Sequence, residues 1–409
     1  MSTKKIRSLL IVGLDVVSLA KSAKRAGYEV YSVDYYGDSD LRKTCNECKS
    51  LIVQIKGKSC GRLNEKFNPR AILKLAKILL QKHHIDGVIL SSGLEDSHQI
   101  LSELNDHIPI LGNTPKTIQR VRDKTSFFKE LDRIQISHPI TEEANNLREA
   151  NNRAKDIGYP IVVKPLWGSG GTFHRKAIDS KTLKPAFKIA SSQSSKVLIQ
   201  EYVHGISASA SLLSASRNVL TLTINEQLLG MRRFGQQEPF GYCGNIVPLS
   251  IKKTITKRCR YAVEKVASHF KLAGSNGVDF VLSEEGEPKI VEINPRFQGT
   301  AGCVESVLGI NLVKTHIDAC VSGIIPNHLE PSICFCTRII LYAKKRSNIP
   351  YLNFDEVEDI PVSGTIVEKG EPICSITSKG SSRKESFNKA KRIADSIYNL
   401  AEPVYLTSL

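Results

Sequence analysis

The stretch that decides the fold is GVDFVLSEEGEPKIVEINPR, residues 277–296, in which two apolar runs flank a polar turn. It predicts a β-hairpin with a four-residue loop at Glu284–Glu287, and in that register Asp279 lies opposite Glu292. Asn294 lies two residues beyond Glu292 and therefore projects from the same face of the hairpin. The other, apolar face is predicted to carry Val278, Phe280, Val291 and Ile293.

The two facing acids, Asp279 and Glu292, indicate a cation site. Carboxylates about 5 Å apart on a sheet destabilise it unless a positive charge lies between them. Oxygen ligands from Asp279, Glu292 and Asn294 suit Mg²⁺, with Mn²⁺ as an alternative. The competing interpretation is that both acids reach solvent or nearby lysines, and the hairpin taken alone does not decide between the two.

A glycine-rich turn follows a strand in YPIVVKPLWGSGGT, residues 159–172. The strand delivers Lys164, and the missing side chains of the glycines let backbone N–H groups approach a phosphate closely. The turn lacks the G-K-[ST] ending of a Walker A loop and, alone, is typical of an ordinary hairpin. The turn indicates a phosphate site only in combination with the lysine before it and the paired acids after it. The predicted phosphate-binding turn consists of Gly168, Ser169, Gly170, Gly171 and Thr172.

The order of predicted elements divides the chain into three parts. Residues 1–115 alternate short apolar strands with helices, the pattern of an α/β domain with a parallel sheet. Residues 116–329 indicate an α+β domain, and residues 330–409 a small C-terminal lobe. Ligands bind beyond the carboxyl ends of parallel strands, so Asp15, Asp34 and residues 91–96 are candidate substrate contacts. For each of them taken singly, a role in capping helices or forming turns is favoured.

Composition narrows the classes of function. Of 409 residues, 41% are apolar and 24% charged, and no apolar run is long enough to span a bilayer, which predicts a soluble protein. The ten cysteines are scattered along a long chain, which predicts a reducing cytoplasm. The formal charge of +16 attracts anions, but its basic residues are spread along the chain, which argues against nucleic acid as a partner. Cys45 and Cys48 form a C-x-x-C pair that is either half of a zinc site or, as favoured here, two ordinary loop cysteines.

Several motifs occur in the order seen in the ATP-grasp superfamily: Lys124 in VRDKTSFF, Lys164 in VVKP, the turn GSGG, the strand QEYV, Asp279 and the run EINPR. The whole chain resembles the predicted archaeal ATP-dependent carboligases related to biotin carboxylase. The resemblance implies a Rossmann-like pre-ATP-grasp domain over residues 1–115 and an ATP-grasp domain over 116–329, with a lid subdomain covering about 125–205. The lobe over 330–409 is similar to that of biotin carboxylase.

The resemblance also implies roles for charged residues. Lys124 and Lys164 would contact the phosphates of ATP, and the glycine-rich turn would form a mobile lid over them. Arg296 would neutralise the transferred phosphoryl group, so that Arg296 and Lys164 are the predicted catalytic residues.

A hinge for adenine is implied in the same way. Glu201 and the backbone of Val203 would read the amino edge of the base. Relatives often carry an acid just after the hinge glycine, whereas here Gly205 is followed by Ile206. The predicted hinge consists of Gln200, Glu201, Tyr202 and Val203.

Substrate contacts are predicted in LLGMRRFGQQEPFGYCGNIVPLS, residues 228–250. Arg232 and Arg233 would clamp a carboxylate bidentately, and Gly244 and Asn245 would let the backbone approach an acyl phosphate. The alternative is a long exposed loop with solvated arginines. Histidines receive no role because isolated ones are more often structural.

Together the motifs predict a ligase that activates a carboxylate as an acyl phosphate for attack by an amine, giving an amide, ADP and phosphate. The predicted partners are a small-molecule carboxylate and an amine, with a homodimer left open. Three alternatives share the ATP site: a bicarbonate-activating carboxylase, a small-molecule kinase and a nucleotide-binding regulator without turnover.

Overall fold

A parallel sheet with helices on both faces forms the amino-terminal domain. The computed structural model describes residues 5–60, 67–168, 170–215, 218–330, 332 and 334–405. The sheet order is β3-β2-β1-β4, and all its pairs are parallel, which confirms the predicted β-α-β pattern. The elements are β1 (Ser8–Val12), α1 (Val17–Arg25), β2 (Glu29–Asp34), α2 (Ser39–Thr44), β3 (Glu47–Ser50), α3 (Pro69–Lys82), β4 (Gly87–Leu90), α4 (His98–His107) and α5 (Pro115–Arg122).

Strand β1 shows why this sheet needs two helical layers. Its five residues are all buried, and they alternate between two cores. Leu9 and Ile11 pack with α1, whereas Leu10 and Val12 pack with α3 and α4. A continuous apolar strand of this kind is stable only when both faces of the sheet are covered.

A second, antiparallel sheet forms a separate layer with its own core. Its order is β5-β8-β6-β7, and Ile161, Val163 and Ile199 pack there against α7 and α8. Helix α6 begins at Lys124 because the Asp123 side chain accepts hydrogen bonds from the amides of Thr125 and Ser126. The elements are α6 (Lys124–Arg133), β5 (Thr141–Ala144), α7 (Leu147–Ile157), β6 (Ile161–Pro165), β7 (Arg175–Ala177), α8 (Ser180–Ser191) and β8 (Val197–Glu201).

The central sheet has eight antiparallel strands in the order β13-β12-β9-β10-β11-β14-β18-β16. It runs without a break across residue 330, because β14 of the C-terminal lobe pairs with β11. The elements of this part of the chain are β9 (Gly205–Ala215), β10 (Asn218–Leu229), a short 3-10 helix (Arg232–Phe234), β11 (Tyr242–Val247), α9 (Lys253–His269), β12 (Gly274–Ser283), β13 (Pro288–Asn294), α10 (Ala301–Leu308) and α11 (Leu312–Ser322).

The C-terminal lobe adds three strands to the central sheet and forms a small sheet of order β17-β15-β19. Helix α12 packs on β14 and β18. In the described part of the chain, none of the helices has the length and apolar character needed to cross a membrane. The elements are β14 (Phe335–Tyr342), β15 (Ser347–Ile349), β16 (Val357–Glu358), β17 (Thr365–Val367), β18 (Pro372–Gly380), α12 (Arg383–Leu400) and β19 (Glu402–Pro403).

The hairpin of β12 and β13 confirms the predicted pairing of Asp279 with Glu292, but it contains a β-bulge. Phe280 pairs with Ile290, so Val291 has no partner in β12 and is the inserted residue. The prediction that Val291 lies on the core face is therefore wrong. Ile290 fills the core in its place, together with Phe280, because the bulge changes the alternation of faces.

Candidate functional site

The paired acids Asp279 and Glu292 lie at the centre of the candidate site. The Asn294 amide nitrogen donates to Asp279 at 3.0 Å, and Gln298 donates to the other Asp279 oxygen at 3.4 Å. Burial and the neighbouring Glu292 raise the pKa of Asp279 to about 6. Within the described ranges no His, Cys or further acid completes a set of three metal ligands. Asp279, Glu292 and Asn294 therefore remain the predicted ligands for a hard dication, and the Asn294 amide oxygen accepts from Arg296 at 3.2 Å.

Two cations from the α5–α6 junction contact Glu292. Lys124 lies 3.1 Å from one carboxylate oxygen, and Arg122 donates to the other. Burial alone would raise the pKa of Glu292, but Lys124 and Arg122 outweigh it and hold this pKa well below its ordinary value. Glu292 is therefore charged at neutral pH, and the cation predicted beside it competes with Lys124 for its oxygens.

Lys164 reaches the same region from the second sheet. Its amino group donates to the Gln200 side chain at 2.5 Å, and Gln200 donates to Thr141 at 2.8 Å. Burial and the nearby Lys124 lower the pKa of Lys164 to about 8. Two buried lysines near one another form a site that favours a polyanion.

This value for Lys164 predicts how nucleotide binding depends on pH. The group is charged below about pH 8 and neutral above it, so affinity for ATP is expected to be about tenfold lower at pH 9 than at pH 7. Calorimetric titration at both pH values measures this. Lys164→Arg keeps its charge throughout and should remove most of the dependence. An equal pH dependence in this variant would show that another group causes it.

The glycine-rich turn lies against the segment that precedes β11. The Gly170 carbonyl accepts a hydrogen bond from the Tyr242 amide at 2.9 Å. A Cβ at Gly171 would lie 1.9 Å from the Phe240 carbonyl oxygen, so glycine is required there. Arg175, just after the turn, pairs with Glu238 of the same segment at 2.5 Å. The predicted member Ser169 lies outside the described residues.

The predicted hinge comprises the last two residues of β8 and the two residues after it, and Glu201 connects it to β13 of the central sheet. The Glu201 side chain pairs with Lys289 at 2.8 Å and accepts from the Ile140 amide at 3.1 Å. Lys176 lies 3.5 Å above the Tyr202 ring. Among the described residues, no backbone hydrogen bond uses the amide or carbonyl of Val203.

The amino-terminal domain supplies acids that sequence reasoning treated only as a candidate segment. Glu95 receives a hydrogen bond from the Arg296 guanidinium, and Asp96 from Arg122 at 2.7 Å. Both acids follow β4, at the carboxyl end of the parallel sheet. Asp34 instead serves a turn, because its carboxylate accepts from the amides of Tyr36 and Gly37.

A polar row extends from the acid pair across the central sheet. Gln227 hydrogen-bonds Asp279, and it pairs across β10 and β11 with Asn245. Asn245 in turn pairs across β11 and β14 with Arg338. The Asn245 side chain accepts from the Tyr242 hydroxyl and donates to the Glu226 carbonyl, so its own groups are used within the protein.

Arg338, at the end of this row, was missed because no sequence motif marks it. Only 3% of its side chain is exposed, and it contacts Asp15 at 3.2 Å, Glu358 at 3.0 Å and Asp359 at 2.8 Å. Burial and Asp359 raise the pKa of Asp15 well above its ordinary value. Lys21 also contacts Glu358 at 3.2 Å, so the charge of Arg338 is already compensated within the protein.

Some predicted residues lie elsewhere. Arg233 pairs with Asp395 of α12 at 2.9 Å, and Arg232 begins the short 3-10 helix. Neither forms an ion pair or hydrogen bond with the acid pair among the described residues. A Cβ at Gly244 would lie 1.9 Å from the Arg338 carbonyl oxygen, so this glycine lets two strands approach.

The Cys45 and Cys48 side chains pack at the edge of the core shared by β1, α1, α10 and α11. The Cys45 sulfur lies 3.2 Å from the Ser32 hydroxyl. Burial raises the pKa of the Cys45 thiol to about 12 and also raises that of Cys48. A buried thiol of high pKa is a poor metal ligand and a poor nucleophile.

Comparison with known proteins agrees with this arrangement. A family model described as an ATP-grasp domain matches residues 121–300. The chain is 26% identical over 395 residues to the uncharacterized protein MJ0776 of Methanocaldococcus jannaschii, covering 95% of this chain and 90% of that one. It is also 25% identical over 311 residues to the carbamoyl phosphate synthase large chain of Halomonas eurihalina, covering 75% of this chain but only 28% of the larger one.

Solved structures share the fold over nearly the whole chain. Biotin carboxylase from Campylobacter jejuni has a TM-score of 0.75 at 17% identity, covering 97% of this chain and 95% of that one. L-amino acid ligase from Bacillus licheniformis has a TM-score of 0.72 at 17% identity, covering 99% and 100%. Residues 121–300 of the chain therefore match an ATP-grasp domain, within a fold that these solved structures share over nearly the whole chain.

Proposed function

We propose that this protein uses ATP to convert a carboxylate into an acyl phosphate and joins it to an amine, releasing ADP and phosphate. The observation that carries the proposal is the convergence of cations on the paired acids. Lys124 contacts Glu292, Lys164 lies close enough to Lys124 for its pKa to fall, and Arg296 donates to Asn294 at 3.2 Å. A protein that only bound nucleotide would not need this whole set.

The chemistry follows from the charges. A carboxylate is a poor electrophile because its leaving group would be oxide, and transfer of the γ-phosphoryl group from ATP removes this obstacle. Lys124 and Lys164 would bind the phosphates of ATP, and Arg296 would offset charge on the transferred group. Mg²⁺ held by Asp279, Glu292 and Asn294 would supply further charge neutralisation when bound.

An amine as the second substrate is supported by the cluster at the end of the polar row. A second anionic substrate would be attracted to a free arginine, but Arg338 is already surrounded by three carboxylates. Asp15 lies at the carboxyl end of β1, where ligands of parallel sheets bind. The Bacillus licheniformis enzyme of similar fold is an L-amino acid ligase, which agrees with an amine acceptor.

The proposal is tested by products rather than by ATP binding. The protein is incubated with ATP, Mg²⁺ and pools of carboxylic acids and amines, and products are identified by mass spectrometry. We expect ADP, phosphate and an amide, formed only when both substrates are present. Oxygen-18 in the carboxylate should appear in the phosphate, because that oxygen attacks the γ-phosphorus and leaves with it.

Each alternative gives a different result. Hydroxylamine should trap a hydroxamate when the amine is withheld. A stable phosphorylated product would indicate a kinase, and turnover with bicarbonate as the acid would indicate a carboxylase. AMP, or phosphate without the label, would rule out the acyl-phosphate mechanism.

A further inference from the structure

Arg122 connects three parts of the protein that are distant in sequence. It is the last residue of α5 and is only 5% exposed. Its Nε donates to Asp96 of the amino-terminal domain at 2.7 Å, one terminal nitrogen donates to Glu292, and the other donates to the Gly168 carbonyl at 3.2 Å. Each of the three nitrogens of this buried guanidinium therefore donates a hydrogen bond, and each bond goes to a different segment of the chain.

Both backbone polar groups of Gly168, its carbonyl and its amide, form hydrogen bonds to side chains. Its carbonyl accepts from Arg122, and its amide donates to the second carboxylate oxygen of Asp96 at 3.4 Å. Asp96 and Arg122 thus form an ion pair that binds the start of the glycine-rich turn. Gly168 has a φ of +137°, so other residues would be strained in this position.

The two cations on Glu292 differ in how firmly they are held. Arg122 has two further partners, Asp96 and Gly168, in addition to Glu292. Lys124 has Glu292 as its one ion-pair partner among the described residues. If ATP phosphates attracted Lys124, one oxygen of Glu292 would be released while the other stayed with Arg122.

We propose that Arg122, held by Asp96, is a positioning residue that couples seating of the glycine-rich turn to binding of the divalent cation at Glu292. The inference rests on the ATP site of the proposed function. Because Arg122 fixes one oxygen of Glu292, the cation finds the other oxygen already oriented once nucleotide has drawn Lys124 away. Metal binding and seating of the turn then depend on the same guanidinium, and the amino-terminal domain takes part through Asp96.

The only tryptophan of the chain provides a readout of the turn itself. Trp167 is 46% exposed and directly precedes Gly168. MgCl₂ is titrated into protein with the non-hydrolysable analogue adenosine 5′-(β,γ-imido)triphosphate while Trp167 fluorescence is recorded, so no turnover is needed. The variants are Arg122→Lys, which keeps the charge, and Asp96→Asn, which removes the anchor. Arg133→Ala, which removes an exposed ion pair with Glu130, is the matched control.

For both Arg122→Lys and Asp96→Asn we expect the half-saturating Mg²⁺ concentration to rise about 10- to 100-fold, the usual cost of removing a partner that orients a metal ligand. The fluorescence change should shrink with it, and Arg133→Ala should match wild type. Folding is checked by the melting temperature. Wild-type Mg²⁺ dependence in folded Arg122→Lys would overturn this inference and leave the proposed function standing. A wild-type protein that binds no nucleotide would overturn both.

Discussion

Glu292→Gln and Asp279→Asn are expected to lower turnover by more than about a hundredfold, because each removes a charge that holds the divalent cation at the transferred phosphoryl group. Their effects on stability should differ. Asp279→Asn removes a buried charge that Glu292 repels, so its melting temperature should equal or exceed that of wild type. Glu292→Gln leaves Arg122 and Lys124 without their common carboxylate, so its melting temperature should fall.

The measurements are ADP release with the identified substrates and thermal unfolding followed by circular dichroism. Glu284→Gln changes an exposed acid in the loop of the same hairpin and is the control for loss of charge. Full activity in either site variant would remove the metal interpretation of the acid pair. Inactivity of Glu284→Gln would show that the hairpin as a whole, rather than its paired acids, is sensitive to substitution.

Lys164→Ala is expected to abolish measurable nucleotide binding, since it removes a buried cation and leaves the Gln200 oxygen without its donor. A double Cys45→Ser, Cys48→Ser variant should bind ATP as wild type does. Both cysteines lie at the edge of the core between α1 and α10, away from the lysines. Isothermal titration with ATP and Mg²⁺ measures both.

Lys196→Ala is the matched control for this experiment, because Lys196 is an exposed lysine directly before β8 of the same sheet and pairs with Glu143. It should bind ATP normally. If only the cysteine variant loses ATP, the nucleotide site has been assigned to the wrong domain. If Lys196→Ala behaves like Lys164→Ala, binding reflects total charge rather than a defined site.

The sequence predicted the parallel sheet and the facing of Asp279 and Glu292, because these follow from local hydrophobic periodicity and turn residues. It failed at Val291, since a β-bulge adds one residue without changing composition. The predicted register holds at the acid pair. Nearer the loop it is displaced by one residue, so that Leu282 pairs with Pro288.

The predicted lysines and acids were identified by their order along the chain, and their roles remain predictions. What no local pattern supplies is the pairing of residues far apart in sequence. Arg122 joins Glu292 across 170 residues, and Arg296 joins Glu95 across 201. Because ligands bind at the carboxyl ends of parallel strands, the sequence did indicate residues 91–96, the segment that contains Glu95, as a candidate part of the site. It could not indicate that the partner would be Arg296.

The continuous central sheet limits how this protein can be dissected. A chain ended before Phe335 would remove β14 and leave β11 as an open edge, whose unpaired N–H and C=O groups favour association with other copies. It would also expose Phe234 and Ile246, which pack against Ile339 and Ile376 of the lobe. Truncation libraries and lobe exchanges between relatives should therefore carry β11 together with the C-terminal lobe, and a soluble catalytic fragment should not be sought upstream of it.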